Sequence, residues 1–228
     1  MAKRPIFFSS HKQGSLLETR EVDFIWHPGL SVSQKQKSIA SLHLAAKEQL
    51  QLCNILEISS KSKIDFGIKL SAFNLCLTNQ DDITASVESF FQGSKVFTKG
   101  GPYIDLYQKS SREAKKDPRI LESGELLKFN FDNNEWPLKP PTVFYDWLYC
   151  SALTQNQDLA EALLDYDSFT DIEFNPSKSI NCQAASAAIY KSMCEKGLIN
   201  DAMKSYSSFI KIHIKYSTSI AQIQETLF

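Results

Sequence analysis

The chain has 228 residues, 43% of them apolar, 11% aromatic and 22% charged, which excludes a disordered tail, a collagen-like repeat and a disulfide miniprotein. Lys plus Arg is 25 and Asp plus Glu is 26, so the formal net charge is -1. That argues against a nucleic-acid binder working by bulk electrostatics, which is usually a clearly basic domain.

Five cysteines at wide spacings, Cys53, Cys76, Cys150, Cys182 and Cys194, favour reduced thiols over a disulfide framework, and hence a cytoplasmic protein. The four histidines, His11, His27, His43 and His213, are scattered, and no zinc-type spacing links His to Cys. No metal and no cofactor is expected. The apolar run after the basic start is only Ile6-Phe7-Phe8, too short for a signal peptide. No apolar run is long enough to span a bilayer, so no membrane partner is expected.

In chain order, Pro5 to Ser9 and Val22 to Trp26 read as strands, the second ended by Pro28-Gly29. Ser33 to Leu50 puts Ile39, Leu42, His43, Ala46 and Leu50 at helical spacing. Asn54 to Ile58 alternates like a strand, and residues 59–63 are a polar loop. Ser86 to Phe97 reads as a helix capped by Ser86, with Gly100-Gly101-Pro102 beyond it. Ser111 reads as the cap of a short helix that stops before Pro118. Leu126 to Phe131 alternates as a strand, and Trp136-Pro137 and Pro140-Pro141 make a stiff connection.

The last third reads as helices from Thr142 to Leu153, Asp158 to Leu164, Ala184 to Glu195 and Ile199 to Phe209, with a strand from Phe169 to Phe174. Phe209 to Tyr216 alternates with period two among helix-like neighbours and is ambiguous. The expected architecture is one α+β domain over residues 1–228, mainly helical with a small sheet.

Nucleotide-binding glycine loops, nucleophile elbows and kinase signatures are all absent from the sequence. Five ordered blocks carry a more specific signal. Phe66-Gly67-Ile68-Lys69-Leu70-Ser71-Ala72-Phe73-Asn74 opens the set, followed by Ala85-Ser86-Val87-Glu88-Ser89-Phe90-Phe91-Gln92-Gly93-Ser94-Lys95-Val96-Phe97. Then come Ser111-Arg112-Glu113-Ala114-Lys115-Lys116, Thr154-Gln155-Asn156-Gln157-Asp158-Leu159 with Leu163-Leu164, and Asp171-Ile172-Glu173-Phe174-Asn175-Pro176.

In this order the blocks resemble the NADAR family, whose name joins NAD and ADP-ribose. They cover residues 54–183; residues 1–53 and 184–228 would be extensions packed on that core. The flanks, with Trp26-His27-Pro28-Gly29 and Ser38 to His43, resemble NADAR proteins found beside DarT-type DNA ADP-ribosyltransferase toxins. Ala152 stands at a family lysine and residues 179–183 replace a family Trp-Gly, so the leaving-group pocket departs from the pattern.

The resemblance implies an N-glycosidic bond hydrolase. The toxin-associated branch removes ADP-ribose from modified guanine in DNA, with a DarT-like toxin as functional partner. A second branch hydrolyses ribosylaminopyrimidine phosphates of riboflavin synthesis, and an ADP-ribose reader without cleavage is a third possibility. Breaking the C1–N bond builds positive charge on the sugar, which a fixed carboxylate stabilises while a proton-bearing group assists the departing nitrogen.

Glu88 is the expected stabilising or water-activating carboxylate; outside the resemblance it is an ordinary charge near a helix N-terminus. Lys95, seven residues on along the same expected helix face, is the catalytic or phosphate-binding cation, and Gln92 lies between them to orient either. Glu173 is the second catalytic or sugar-binding carboxylate. Asn181, Cys182 and Gln183 follow a Ser-rich loop that includes Ser179 and open the next helix, so Ser179, Asn181 and Gln183 read either as a diphosphate site or as ordinary helix capping. Cys182 has no His nearby in sequence and is not a nucleophile candidate. Phe73 and Trp147 are candidate base-stacking rings; Phe144 is read as core. Phe66, Gly67, Asn74 and Arg112 complete the expected ligand-binding set by their motif positions, although Arg112 also reads as an exposed helix charge.

Overall fold

The computed structural model describes residues 1–216. Residues 217–228, the last part of the expected C-terminal extension, lie outside the described residues. The fold is α+β, with helix outweighing strand.

A β-hairpin opens the chain: β1 (Ala2–Ser9) pairs antiparallel with β2 (Leu17–Phe24), from Ala2 opposite Phe24 to Ser9 opposite Leu17. Helix α1 (Val32–Leu50) follows, its N-terminus capped by Ser31, which accepts from the Gln34 N–H. Strand β3 (Ile55–Glu57), helix α2 (Asp65–Lys69), strands β4 (Cys76–Thr78) and β5 (Thr84–Ser86), helix α3 (Val87–Gly93) and strand β6 (Lys95–Phe97) lead to the middle of the chain. After a 3₁₀ turn at Ile104–Gln108 come α4 (Ser111–Lys116), α5 (Arg119–Glu122), β7 (Leu126–Phe131) and β8 (Asn134–Trp136). The final stretch is α6 (Val143–Gln155), α7 (Gln157–Leu163), β9 (Ser168–Thr170), α8 (Gln183–Glu195), α9 (Ile199–Ala202) and α10 (Tyr206–Tyr216).

The largest sheet has the order β2-β1-β9-β3, with β3 and β9 parallel and the other pairs antiparallel. Successive strand side chains face opposite sides, and the sheet uses both. Ile6, Val22, Phe24 and Ile55 pack with Ile39, Leu42 and Ala46 of α1. Phe7, Leu17, Leu56 and Phe169 belong to the larger core built on α6 and α8. Smaller sheets, β4-β5 and β6-β7-β8, flank α3.

Several expectations are corrected. The helix expected from Ser86 to Phe97 ends at Gly93, and Lys95 to Phe97 form β6, paired with β7. A Cβ at Gly93 would lie 2.6 Å from the Tyr107 ring, so the glycine admits that ring. The strand expected to reach Phe174 stops at Thr170, because the Asp171 carboxylate accepts from the Glu173 and Phe174 N–H groups and turns the chain. The helix expected from Ile199 to Phe209 breaks in two, and Ser205 starts α10 by accepting from the Ser208 N–H at 3.1 Å. The ambiguous Phe209 to Tyr216 segment is helical, with Phe209 and His213 buried one turn apart. Helix α2, the β4-β5 hairpin and β8 were not anticipated.

Candidate functional site

Helix α3 is buried all round, so its polar side chains need partners or a cavity. Ser86 caps it, accepting from the Ser89 N–H, and the Glu88 N–H donates to the Ala72 carbonyl. The turn that carries Ala72 and Phe73 therefore sits against the start of α3. Ser111, the first residue of α4, ties the same corner together: its hydroxyl is 2.7 Å from Ser86 Oγ and 2.7 Å from the Phe73 carbonyl. A capping box of Ser110 and Glu113 holds α4 in register, which aims Lys115 back towards α3.

These elements surround a cavity of about 780 Å³, within the range of small-molecule sites. Glu88, 5% exposed, lies at its wall. Gln92 Nε2 donates to Glu88 Oε1 at 2.9 Å, and Lys95 Nζ donates to Gln92 Oε1 at 2.7 Å. Lys115 Nζ is 3.5 Å from the same Glu88 oxygen. The ammonium groups also lie over rings, Lys95 above Phe91 at 4.9 Å and Lys115 above Phe73 at 5.1 Å. Burial pulls the Lys95 ammonium down to about 8, with Glu88 opposing the shift and Lys115 adding to it.

Phe91, Phe129, Phe144, Tyr145 and Phe174 give the cavity aromatic lining. Phe129 and Phe144 lie 4.7 Å apart between centroids, so these rings form one rigid block. The loop from Asp171 to Asn181 closes another side. Asn175 turns it by accepting from the Ser177 N–H and hydroxyl, and Ser179 donates to the Asn181 carbonyl. Lys178 belongs to the same lining. Glu173 sits there with its carboxylate 2.9 Å from Lys35 Nζ of α1.

The structure brings together Glu88, Lys95, Glu173, Phe73, Gln92, Ser179, Asn181 and Gln183 around this cavity. Lys95 reaches Gln92 from β6, not along the α3 face, because α3 has already ended. Gln183 has its amide committed: Oε1 accepts from the Ala72 N–H and Nε2 donates to the Ile58 carbonyl. Phe66, Gly67, Asn74, Arg112 and Trp147 are not part of the lining. Phe66 stacks on Tyr166 at 5.7 Å, and Asn74 staples its own turn through the Ile68 carbonyl and the Ser71 hydroxyl. Gly67 abuts Glu57, whose carbonyl would lie 2.0 Å from an added Cβ. Trp147 packs against Trp136 and Phe131, and Arg112 is exposed on α4. Burial raises the Cys182 thiol well above its ordinary range, so it is a poor nucleophile.

Sequence reasoning missed Lys115 and Asp171. Lys115 lay inside the third motif block, where the spacing that pointed to Arg112 held it as well. Asp171 begins the fifth block but falls inside the strand expected from Phe169 to Phe174.

A family model described as DarT1-associated NADAR antitoxin matches residues 2–223. The chain belongs to that family. The NADAR match extends well beyond the five blocks, so the flanking segments, including the opening hairpin and α1, fall within the family pattern. Membership in the NADAR-DarT1 family carries an association with the DarT1 toxin in its description. A comparison with curated proteins found no match. Among the described residues, no helix is long and apolar enough to cross a membrane, and no cluster of His, Cys, Asp and Glu is arranged to hold a metal ion.

Proposed function

We propose that this NADAR-DarT1 protein is an N-glycosidase that removes ADP-ribose from ADP-ribosylated guanine in DNA, and so acts in the cytoplasm as antitoxin to a DarT-like toxin. The observation that carries the reading is the linked set Lys95–Gln92–Glu88–Lys115 at the wall of an aromatic cavity. A carboxylate fixed by an amide, with one ammonium beside it and a second held on that amide, is preorganised, which is how charge in a transition state is stabilised most effectively.

In this reading the Glu88 carboxylate faces the ribose carbon as positive charge grows there, then takes a proton from the attacking water. Gln92 and Lys115 hold that carboxylate in place. Lys95 anchors Gln92 and adds positive charge on the side where a diphosphate would lie. The loop bearing Ser177, Lys178 and Ser179 supplies further donors for the diphosphate. Glu173, already paired with Lys35, suits hydrogen bonding to ribose hydroxyls. The aromatic lining suits stacking with a purine.

The test is incubation with an oligonucleotide carrying ADP-ribose on guanine. Release of free ADP-ribose and restored guanine is expected. Tight binding of ADP-ribose with no release from this conjugate would make the protein a reader. Preferential cleavage of a ribosylaminopyrimidine phosphate in direct competition would move it to the other enzymatic branch.

A further inference from the structure

Behind the loop that closes the cavity lies a second pair of carboxyls, unrelated to Glu88. Asp171 lines the cavity, and Glu57 on β3 is 2% exposed. Both Glu57 oxygens are occupied as acceptors. Oε2 receives the Thr170 hydroxyl at 2.7 Å and Oε1 the Ile172 N–H at 2.9 Å. With its hydroxyl hydrogen given to Glu57, Thr170 offers only its oxygen to His43 Nε2, 2.9 Å away, so that nitrogen carries the hydrogen. Burial, and then Lys47, holds His43 down to about 4, which keeps the ring neutral around neutral pH. The chain His43–Thr170–Glu57 thus directs its hydrogens at Glu57.

Two neighbouring carboxyls out of water cannot both ionise cheaply. Burial raises both carboxyls, opposed at Glu57 by the Ile172 N–H and the Thr170 hydroxyl, and the proton of the pair goes to Asp171, the member that lines the cavity. Asp171 Oδ1 is fixed by the Glu173 and Phe174 N–H groups, at 2.9 and 3.2 Å, and the Gln183 amide is a further partner. Burial first, and the charge of Glu57 second, push Asp171 up to about 8. The other groups that face it are Glu173 on its own loop, Arg4 of β1, Tyr145 and Tyr149 of α6, and Cys182 at the start of α8. Of these, Arg4 is the cation and favours ionisation. Tyr145 feels both Glu88 and Asp171, and all three line the one cavity.

We propose that Asp171 is the acid that protonates the departing nitrogen, and that Glu57 is the positioning residue that keeps the proton on it. The proposal rests on the glycosidase reading. As the C1–N bond breaks, its electron pair goes to nitrogen, which takes the Asp171 proton and leaves a carboxylate. Water adds its oxygen to C1 and gives a proton to Glu88. Exchange with solvent returns Glu88 to carboxylate and Asp171 to the acid, so one water is consumed per bond cleaved.

The experiment compares two ADP-ribose conjugates. In the guanine-modified oligonucleotide the leaving amine needs a proton. In an ADP-ribosyl pyridinium it leaves as neutral pyridine and needs none. Asp171→Asn keeps the Oδ1 acceptor for the loop, so the fold should survive. The variant should slow the guanine conjugate by about a hundredfold or more and leave pyridinium cleavage nearly unchanged. Equal slowing of both conjugates overturns the proposal. The alkaline limb of the kcat–pH profile, with its midpoint near 8 in the wild type, should vanish in Asp171→Asn and move to lower pH in Glu57→Gln. A limb that stays in Asp171→Asn assigns it to Lys95 and overturns the role of Asp171; one that does not move in Glu57→Gln overturns the role of Glu57. Wild-type protein that releases ADP-ribose from neither conjugate overturns the glycosidase reading itself.

Discussion

Lys115 Nζ stands 3.5 Å from Glu88 Oε1, so a side chain 55% exposed on α4 caps a carboxylate 6% exposed on α3. The contact depends on Ser111, which pins the start of α4 to Phe73 and to the cap of α3. Because the cation is largely in water, its attraction is screened and worth at most about 1 kcal/mol. Lys115→Met is therefore expected to lower kcat/KM by about fivefold with little change in melting temperature. Steady-state release assays check this, and an unchanged kcat/KM would reduce Lys115 to a surface charge.

Lys95 is expected to lose stability for the sake of the site. Its folded value of about 8 lies below the ordinary 10.5, so between those values the unfolded chain binds more protons and stability rises with pH. Below about 8 the penalty for a buried ammonium is fully present. Lys95→Met should raise the melting temperature near pH 7 by a few degrees, at about 2–4 °C per kcal/mol for a chain of this size, while activity falls. A lower melting temperature would mean that the Gln92 contact outweighs desolvation.

Asp171 gives the opposite slope. Its folded value of about 8 exceeds the ordinary 3.8, so the folded state holds the extra proton and stability falls as pH rises across that window. Asp171→Asn removes this term. Its melting temperature should exceed that of the wild type by a margin that grows from about pH 5 to about pH 8, following the proton that wild type releases on unfolding. A margin independent of pH would show that Asp171 is ionised throughout.

Gly67 makes a structural prediction where the sequence had suggested ligand binding. An added Cβ would lie 2.0 Å from the Glu57 carbonyl and 2.7 Å from Ser62 Oγ. The nearer atom is backbone and cannot swing away. Gly67→Ala should destabilise the fold by about 1–3 kcal/mol, the usual cost of overpacking, and should disturb Glu57 with it. Thermal unfolding of purified protein checks this; a neutral substitution would mean that α2 shifts freely against β3.

The long periodic segments were legible from sequence: α1, α6, α7, α8 and β7 lie close to where hydrophobic spacing put them. What escaped was decided by contacts far along the chain. Lys95 to Phe97 has helical spacing with Val87 and Phe91, but pairing with Leu126 to Phe129 makes it a strand. The β4-β5 hairpin, three residues to a strand, is too short to show a period. Motif order pointed to Glu88, Gln92 and Glu173, which all line the cavity, because each lies inside one of the ordered blocks. Asp171 was invisible for a physical reason. Its character comes from burial first and then from Glu57, 114 positions earlier, and no local pattern records either.

The most direct test of the central claim is single-turnover release of ADP-ribose from a guanine-modified oligonucleotide by wild type and Glu88→Gln. The substitution keeps shape and removes the charge beside Gln92 and Lys115. Rapid release by the wild type is expected, and a rate lower by about a thousandfold in the variant with ADP-ribose binding retained. Equal rates in the two proteins would contradict the claim.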